Sequence, residues 1–409
     1  MKQVSILAPK YIWTGKEFLE NFAIAFGDRI LDIDEVDKIL QKYPNGSIEE
    51  IPKYSFVMAG LINSHVHLEY SHHTTQYSYG SYIGWLNSVV QNFSTLSKSI
   101  SNSAMEEAIN QMVKSGTTSI GAISSMGLDF QVLKNSPIRK IVFNEIIASQ
   151  PHQVDELYSL WLKRVEESEK LRDRRFTPAV AIHSPFSVHS SAVKRVLKLA
   201  KERGYIVSAH FMESKAEREW LDSESGEMKE FYTALYGKAK RWTTAKEFID
   251  LFDGVPTLFT HGIYMNSYEL SKCVENSHSL SHCPVSNRLL GGDRLDIDKL
   301  DKLGILWNTS TDGLSSNVSL NLFDEMRSAL FLHNRRDLES FAIQLFKSVT
   351  QIPAKQLGIN SGEIAIGKDS DMIVIDLENL EFDRVEKIPL HLILRGAKVV
   401  RSYIFGERV

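Results

Sequence analysis

Eight apolar segments, each followed by a stretch of helical periodicity, make up most of this chain between residues 58 and 357. Short apolar runs that alternate with helical patterns are typical of repeated βα units, in which the strands run parallel. Eight such units can close into a barrel of about 250 residues. The sequence therefore predicts an α/β fold, with a (β/α)8 TIM-type barrel at residues 58–357.

The two ends of the chain have a different pattern, with β-branched and aromatic runs between Gly and Asp residues. The N-terminal runs include VSILAP, NFAIAFGDRILDI and YSFVM, and similar runs follow Gly362. Such runs indicate short strands. Because the ends of a chain usually lie close together at the surface, we expect residues 1–57 and 358–409 to form one small β-sandwich beside the barrel.

Composition and charge limit the classes of partner. The net charge is −4 and no long basic run occurs in the 409 residues, which argues against nucleic acid as a partner. The two cysteines, Cys273 and Cys283, form no CxxC pair, so a cysteine-rich zinc site is excluded. The start, MKQVSILAPK, lacks a signal-peptide core, and no later stretch approaches a membrane span. We expect a cytoplasmic protein with a small-molecule partner and no membrane contact; the sequence leaves a homodimer open.

Side chains that can carry chemistry recur where the predicted strands end. In a barrel of this type the active site lies at the carboxyl ends of the strands, where residues distant in sequence converge. Six of the eight predicted ends carry His or Asp, which predicts one polar site at that rim. The predicted ends are His65, Ile123, Ala148, His183, His210, His261, His282 and Asp312.

The segment AGLINSHVHLEYS contains His65 and His67, which are two residues apart and therefore share one face of a strand. Two imidazoles so placed can bind one divalent metal ion through neutral nitrogens. Taken alone, the pair fits equally well one core histidine and one hydrogen-bonded surface histidine. Three further segments favour the metal site.

The segment YIVSAHFMES adds His210 as a third nitrogen ligand and Glu213 three residues later. A carboxylate beside a metal can move protons between water and substrate; alternatively, Glu213 is a helix N-terminal residue favoured by the helix dipole. The segment GILWNTSTDG adds Asp312, which completes a set of three histidines and one aspartate. A helix cap is the alternative for Asp312, but its position and its partners favour the ligand.

Two more segments carry candidate site residues. VPTLFTHG places His261 at the sixth strand end, where it could orient or deprotonate a metal-bound water. A buried histidine bonded to the backbone is the alternative. In HSLSHCPVSNRLLGG, after strand seven, we expect His282, Ser286 and Asn287 to shape the pocket wall rather than to bind metal.

Together these segments resemble the amidohydrolase superfamily, in particular its branch of cytosine, adenosylhomocysteine and triazine aminohydrolases. The pattern of that branch is HxH, HxxE, a later His, HCPxSN and a final STDG-type Asp, and each part has a counterpart here. The tail GEIAIGKDSDMIVIDL resembles the segment with which such chains return to the small sandwich. The similarity covers nearly the whole chain and implies a metal-dependent aminohydrolase.

The resemblance also implies a role for each matching residue. Glu213 would move protons, His261 would face the water, and Asp312 would act as a base in addition to binding the metal. Strand four lacks the lysine that bridges two metals in hydantoinases and dihydroorotases, so one divalent ion is expected. Zinc is the first choice, and iron(II) or manganese also suit nitrogen and oxygen ligands. The implied metal ligands are His65, His67, His210 and Asp312.

Four stretches resemble the aminofutalosine deaminases, a family within this branch that acts on an adenosine with a carboxylated aromatic arm in an alternative route to menaquinone. This resemblance implies hydrolytic deamination of 6-amino-6-deoxyfutalosine at C6 of its adenine ring, with Glu213 protonating N1, to give futalosine and ammonia. The stretches are YGSYIGWLNSVV, KSGTTSIGAIS, HFMESKAEREWL and TDGLSSNVSLNLFDEMR.

Three residues are candidate substrate contacts. His183, in AVAIHSPFSVHS, matches a strand-four histidine that faces the substrate in purine-nucleoside deaminases of this branch, and a core histidine is the alternative. Trp85 is expected in the substrate pocket. Gly84 precedes Trp85 where adenosylhomocysteine deaminases carry a glutamate that holds ribose hydroxyls, so Glu145 on strand three is the expected substitute.

Other functions remain open at this point. One metal site serves several substrates, so adenosine, methylthioadenosine, adenosylhomocysteine, guanine, a triazine or a cyclic amide are alternatives. From a different class, a barrel that has lost its metal could serve as a non-catalytic scaffold. The presence of all four ligand residues and of Glu213 disfavours the scaffold.

Overall fold

Eighteen strands in three sheets build this protein, whose computed structural model describes residues 4–72, 74–99, 101–378 and 380–409. In chain order the strands are β1 (Ser5–Leu7), β2 (Tyr11–Trp13), β3 (Phe18–Glu20), β4 (Phe22–Phe26), β5 (Ile30–Glu35), β6 (Ser47–Ile48), β7 (Ser55–Ala59), β8 (Leu61–Val66), β9 (Thr117–Ser124), β10 (Arg139–Ile146), β11 (Phe176–Ile182), β12 (Val207–Phe211), β13 (Thr257–His261), β14 (Ser279–His282), β15 (Trp307–Thr309), β16 (Met372–Asp376), β17 (Lys398–Ile404) and β18 (Glu407–Arg408).

Helices connect these strands, and several begin at a side chain that accepts a backbone N–H, as at Thr244, Asn266 and Asp337. None of the helices in the described ranges is both long enough and apolar enough to cross a membrane. They are α1 (Val36–Lys42), α2 (Tyr82–Ser99), α3 (Asn102–Lys114), α4 (Phe130–Asn135), α5 (Val154–Lys170), α6 (Ser190–Arg203), α7 (Lys215–Ser223), α8 (Glu227–Tyr236), α9 (Ala245–Asp250), α10 (Ser267–Glu275), α11 (Pro284–Leu289), α12 (Ile297–Leu303), α13 (Leu322–Leu332), α14 (Leu338–Ser348), α15 (Gln351–Gln356) and α16 (Ile388–Arg395).

The largest sheet contains β8 to β15 in sequence order, and every neighbouring pair is parallel. Strands β9 and β10 are buried along their whole length, as is usual where helices cover one face and the barrel interior the other. The first and last strands meet just beyond β15. There Thr311 N donates to Asn63 Oδ1 over 3.2 Å, and Asp312 N donates to His65 O over 3.1 Å. The predicted (β/α)8 barrel is confirmed.

Two strands end two or more residues before the predicted position. Strand β10 ends at Ile146, two residues before Ala148, which instead forms an isolated bridge with Val188. Strand β15 ends at Thr309, three residues before Asp312, because the chain turns there from β14 towards β8. Both differences leave the predicted residues just beyond the carboxyl ends of the same strands.

Two smaller sheets lie outside the barrel, with the orders β5-β4-β1-β6 and β18-β17-β16-β7-β2-β3. Strand β7 pairs with β16 in antiparallel and with β2 in parallel direction, so strands from both ends of the chain share one sheet. Buried side chains of both sheets form one apolar cluster, which confirms that the terminal segments build a joint β-structure. Strand β7 continues to Ala59, two residues beyond the predicted limit at residue 57. The cluster includes Leu7, Ile24, Phe26, Val57, Met372 and Tyr403.

A buried ion pair joins the barrel to this β-structure. Arg139, the first residue of β10, lies with its Nη2 2.8 Å from Asp369 Oδ2 and 2.8 Å from Asp371 Oδ2. Its guanidinium lies 4.0 Å from the centre of the Phe405 ring. Only 9% of the Arg139 side chain is exposed, and the side chain of Asp371 is fully buried. Burial of both charges is tolerated because they compensate each other.

We expect the substitution Arg139→Met to lower the free energy of unfolding by about 3–5 kcal/mol, because it leaves a buried carboxylate without its cation. Denaturant titration measures this loss. Arg174→Met is the matched control, since Arg174 also lies over the Phe405 ring but is 46% exposed in its pairs with Asp28 and Glu407. The control is expected to lose at most about 1 kcal/mol. Equal losses in the two variants would contradict the stabilising role of the buried pair.

Candidate active site

A cavity of about 80 Å³ lies at the carboxyl ends of the barrel strands. His65 is fully buried at its edge, directly against His67 and His210. All the other residues predicted as ligands, acid or base, or substrate contacts line the cavity itself. The lining residues are His67, Tyr70, Tyr82, Trp85, Leu86, Val89, Ser125, Glu145, His183, His210, Glu213, His261, Asp312 and Ser315.

Four candidate ligand atoms lie close together beside this cavity. His67 Nε2 lies 3.2 Å from His65 Nε2 and 3.3 Å from His210 Nε2. Asp312 Oδ1 lies 3.6 Å from His65 Nε2 and 3.5 Å from His67 Nε2. Two nitrogens bound tetrahedrally to one zinc at ~2.0–2.1 Å are ~3.3 Å apart. The four residues therefore fit one divalent ion, and such an ion would account for all these close contacts at once.

The second ring nitrogen, Nδ1, of two of these histidines has a polar neighbour that holds the ring in place. His210 Nδ1 donates to the carbonyl of His183 over 3.0 Å, which leaves the lone pair on Nε2. His65 Nδ1 lies 3.1 Å from Thr260 Oγ1. Burial is the main cause that lowers the pKa of His67 to about 3, so that its ring is neutral. Neutral imidazoles are the form that binds metal.

Two hydroxyl groups orient the carboxylate of Asp312. Its Oδ2 accepts hydrogen bonds from Ser286 Oγ at 2.7 Å and from Ser316 Oγ at 2.9 Å, while Oδ1 faces the histidines. The next residue, Gly313, lies so close to His67 that a Cβ atom there would be 2.9 Å from the Cβ of His67. A glycine at this position thus permits the close approach of the two ligand-bearing segments.

His261 is held in one tautomer. Its Nδ1 lies 2.8 Å from Asn287 Oδ1, and because an amide oxygen can only accept, the ring proton is on Nδ1. The lone pair on Nε2 then points towards Glu213, whose Oε1 is 3.4 Å away. This Nε2 is buried and has no hydrogen-bond partner among the residues that the structure describes. His261 can therefore accept a proton inside the cavity.

The two carboxyl groups of the site have opposite pKa shifts. Burial, and then the charge of Asp312, raises the pKa of Glu213 well above its ordinary value, and a hydrogen bond with Tyr82 offsets this only in part. Burial alone would also raise the pKa of Asp312, but the neighbouring His65 and His67 hold it well below its ordinary value. The environments of the two groups thus shift their pKa values in opposite directions, an arrangement suited to acid and base catalysis.

The backbone at the strand ends is left-handed at three residues that are not glycine. The φ angles are 56° at Met212, 74° at His261 and 61° at Asp312. Such conformations cost on the order of 1–3 kcal/mol each and cluster at functional sites. Met212 directly follows β12, His261 is the last residue of β13, and Asp312 lies three residues beyond β15. Of the three, His261 and Asp312 line the cavity.

Helix α2 forms an apolar wall of the cavity with Tyr82, Trp85, Leu86 and Val89, whose spacing puts them on one helix face. The indole N–H of Trp85 donates to Ser315 O over 3.0 Å, so only the ring of Trp85 remains for contact with a substrate.

On the opposite side, the carboxylate of Glu145 is almost fully buried between two neighbours. Its Oε2 accepts from Ser125 Oγ at 2.6 Å, and its Oε1 lies 3.6 Å from His210 Nδ1. His183 Nδ1 bonds Ser187 Oγ at 2.6 Å. The predicted substrate contacts of Glu145 and His183 stay predictions.

Two residues of the HCPVSN segment bond site residues directly, which the sequence did not predict. Ser286 and Asn287 were expected to shape the pocket wall, but their side chains lie behind Asp312 and His261 and bond them. His282 lies outside the cavity lining and pairs with His333, Nε2 to Nε2 at 3.1 Å. The motif itself was the signal for the first two residues. Thr260 and Ser316 carried no signal, because isolated hydroxyl residues occur throughout the chain.

Known proteins resemble this chain over nearly its full length. Residues 56–408 match the model of the amidohydrolase family. The aminodeoxyfutalosine deaminase of a Nitratiruptor species is 40% identical over 402 residues, which cover 98% of each chain. The adenosine deaminase of Helicobacter pylori is 33% identical over 399 residues, 96% of each chain. The crystal structure of Helicobacter pylori aminofutalosine deaminase in complex with methylthio-coformycin superposes with a TM-score of 0.93 at 31% identity, covering 99% of this chain and 100% of that one.

We expect Ser286→Ala to weaken zinc binding about 10- to 100-fold, because it removes a hydroxyl that orients Asp312. Titration of metal-free protein with zinc against a competing chelator measures this without an activity assay. Ser319→Ala is the matched control, since its hydroxyl bonds Asp324 Oδ2 at 2.9 Å and not Asp312. Identical zinc affinities of the two variants would show that Ser286 does not support the metal site.

Proposed function

This chain belongs to the amidohydrolase family and is an aminohydrolase, and from this premise we propose that it deaminates 6-amino-6-deoxyfutalosine to futalosine and ammonia. The reaction would serve the futalosine route of menaquinone biosynthesis in the cytoplasm. The main support is Glu213, whose buried carboxyl group lies 3.4 Å from His261 Nε2. Three histidine nitrogens and the Asp312 carboxylate lie close together in the same site. The 40% identity to an aminodeoxyfutalosine deaminase supports the choice of substrate.

The proposed cofactor is one divalent metal ion, with zinc as the first choice and iron(II) or manganese as alternatives. His65, His67, His210 and Asp312 would hold it through three Nε2 atoms and Oδ1. Such an ion supplies an activated water, since coordination lowers the pKa of water to about 7.

Glu213 and His261 would divide the proton transfers of the reaction. A bond forms between the water oxygen and C6 of the adenine, and the bond from C6 to the amino nitrogen breaks. His261 Nε2 would accept a proton of the attacking water, and Asp312 would help to orient it. Glu213 would protonate N1 of the ring, then take the second proton from the oxygen on C6 and pass it to the leaving amino group. His261 would return the first water proton to Glu213, whose Oε1 lies 3.4 Å from its Nε2. One water proton thus ends on N1 and the other on the departing ammonia, which balances the reaction.

His183, Trp85 and Glu145 line the same cavity and are the proposed substrate contacts. Since the indole N–H of Trp85 is bonded to Ser315, its ring would pack against an apolar or aromatic part of the substrate. His183 would face the purine. Glu145 would supply the carboxylate for ribose that Gly84 cannot provide.

Deamination of adenosine is the second candidate, because the adenosine deaminase of Helicobacter pylori is 33% identical to this chain. A panel of substrates separates the two functions. It contains 6-amino-6-deoxyfutalosine, adenosine, methylthioadenosine, adenosylhomocysteine and guanine, and ammonia release is measured with zinc-loaded protein. We expect the highest kcat/KM for 6-amino-6-deoxyfutalosine and no turnover after removal of the metal. A higher kcat/KM for another compound would overturn the substrate assignment, and a lack of ammonia from every compound would overturn the function.

We expect Glu213→Gln to reduce kcat about 10²- to 10⁴-fold, because the amide cannot deliver the proton that N1 requires. Zinc content, measured by elemental analysis, should stay at the native level because Glu213 is not a proposed ligand. Glu219→Gln is the control on α7, where the native side chain forms an exposed contact of 3.7 Å with Lys215. Its kcat should equal the native value. Near-normal turnover in Glu213→Gln would remove Glu213 from the mechanism.

A further inference from the structure

Glu217 bonds the backbone next to the proposed proton donor. It is the third residue of α7, and only 1% of it is exposed. Its Oε1 accepts the N–H of Met212 at 3.1 Å, and its Oε2 accepts the N–H of Glu213 at 2.8 Å. Both oxygens of one buried carboxylate are therefore used to hold two consecutive peptide groups at the cavity.

Two other helices of the chain show what a glutamate at this helix position ordinarily does. In α9 the side chain of Glu247 accepts the N–H of the N-cap residue Thr244 at 2.8 Å. In α10 Glu269 accepts the N–H of the N-cap residue Asn266 at 2.7 Å. Both are capping boxes, which stabilise the first turn of a helix. Glu217 differs, because it reaches past its own N-cap residue to the two residues before it.

The first turn of α7 has its own cap. Ser214 Oγ accepts the N–H of Glu217 at 3.1 Å, so the helix start is stabilised without the carboxylate. Burial of a carboxyl group costs free energy unless it is hydrogen-bonded. The group would be more favourably placed in water if helix capping were its only task. Its position is explained by the two amides that it holds.

These two amides belong to a segment under conformational strain. Met212 has a left-handed φ of 56°, and the chain reverses there to direct Glu213 towards His261. The left-handed conformation is unfavourable for a residue with a Cβ atom, so this conformation depends on the hydrogen bonds that hold it. Tyr264 N donates to the carbonyl of Met212 over 3.1 Å on one side, and Glu217 accepts the two N–H groups on the other. A shift of this peptide would move the carboxyl group of Glu213 relative to the other groups of the site.

We propose that Glu217 is a positioning residue, which fixes the peptide between Met212 and Glu213 so that the Glu213 carboxyl group meets N1 of the substrate. This inference rests on the proposed function, since Glu213 acts as a proton donor only in a deaminase. Glu217 does not line the cavity, and the hydrogen bonds of its side chain within the described part of the chain go to the backbone of Met212 and Glu213 and not to a proposed metal ligand. Its effect should therefore appear in the chemical step and not in metal binding.

The substitution Glu217→Gln tests the inference, because an amide group can accept only one of the two N–H groups and turns its own N–H groups towards the other. We expect kcat to fall about 10- to 100-fold, since a misplacement of about 1 Å can cost as much as 10²-fold. KM should stay within twofold of the native value, and the zinc content should be unchanged. Glu217→Asp, which keeps the charge on a shorter side chain, should lie between the native protein and Glu217→Gln.

Glu247→Gln is the matched control, because it weakens the same kind of helix cap at α9, away from the cavity. Its kcat should remain within twofold of the native value, while its melting temperature falls about as much as that of Glu217→Gln. The positioning role is overturned if kcat is within twofold of native in Glu217→Gln, or falls equally in Glu247→Gln. If Glu217→Gln does not fold, the same comparison is made with Glu217→Asp.

Hydrogen exchange gives a readout that is independent of the reaction. The amides of Met212 and Glu213 should exchange faster in Glu217→Gln than in the native protein, whereas the amide of Thr244 should be unchanged. Unchanged exchange at Met212 and Glu213 overturns the positioning role. A native protein that releases no ammonia from any nucleoside overturns the proposed function instead, so the two failures are distinguished.

Discussion

The convergence of three imidazole nitrogens and one carboxylate oxygen is the constraint on which the rest of the site depends. Nitrogens only 3.2–3.3 Å apart repel each other through their lone pairs unless a proton or a cation lies between them. These atoms belong to residues at or just beyond the ends of the barrel strands β8, β12 and β15, which are far apart in sequence. The barrel supplies the position of each strand end, and outer contacts such as Ser286 to Asp312 supply the orientation of each side chain.

Buried glutamates stabilise the loops around this convergence. Glu69 accepts three N–H groups of the loop that follows β9, and Glu217 makes the corresponding contact at the end of β12. Burial raises the pKa of Glu217 to about 7, although backbone hydrogen bonds lower it in part. These loops are thus held by directional hydrogen bonds. Such bonds give partners to backbone N–H groups, which apolar packing cannot do. Such precise placement matters, because Glu213 and His261 must both reach one small cavity of about 80 Å³.

The barrel and the residues brought together at the candidate site could be predicted from the sequence because each depends on a local pattern. Alternating apolar and helical segments specify parallel βα units, and HVH, HFME and STDG each present their polar residue where an apolar run ends. The pairing of both chain ends into one β-structure was also predictable, since the ends of a chain usually lie close together at the surface. The barrel and the candidate site required only the order of residues along short segments.

Contacts between distant segments were decided by the tertiary structure alone. The bond of Asn287 to His261 joins residues 26 positions apart, and that of Thr260 to His65 joins residues 195 positions apart. The reach of Glu217 past its own helix cap is local in sequence, yet its meaning depends on the left-handed φ of Met212, which no residue pattern encodes. Sequence thus determined which polar side chains are available at the candidate site. The closing of the barrel determined their tautomers, orientations and distances, because these depend on neighbours that only folding brings together.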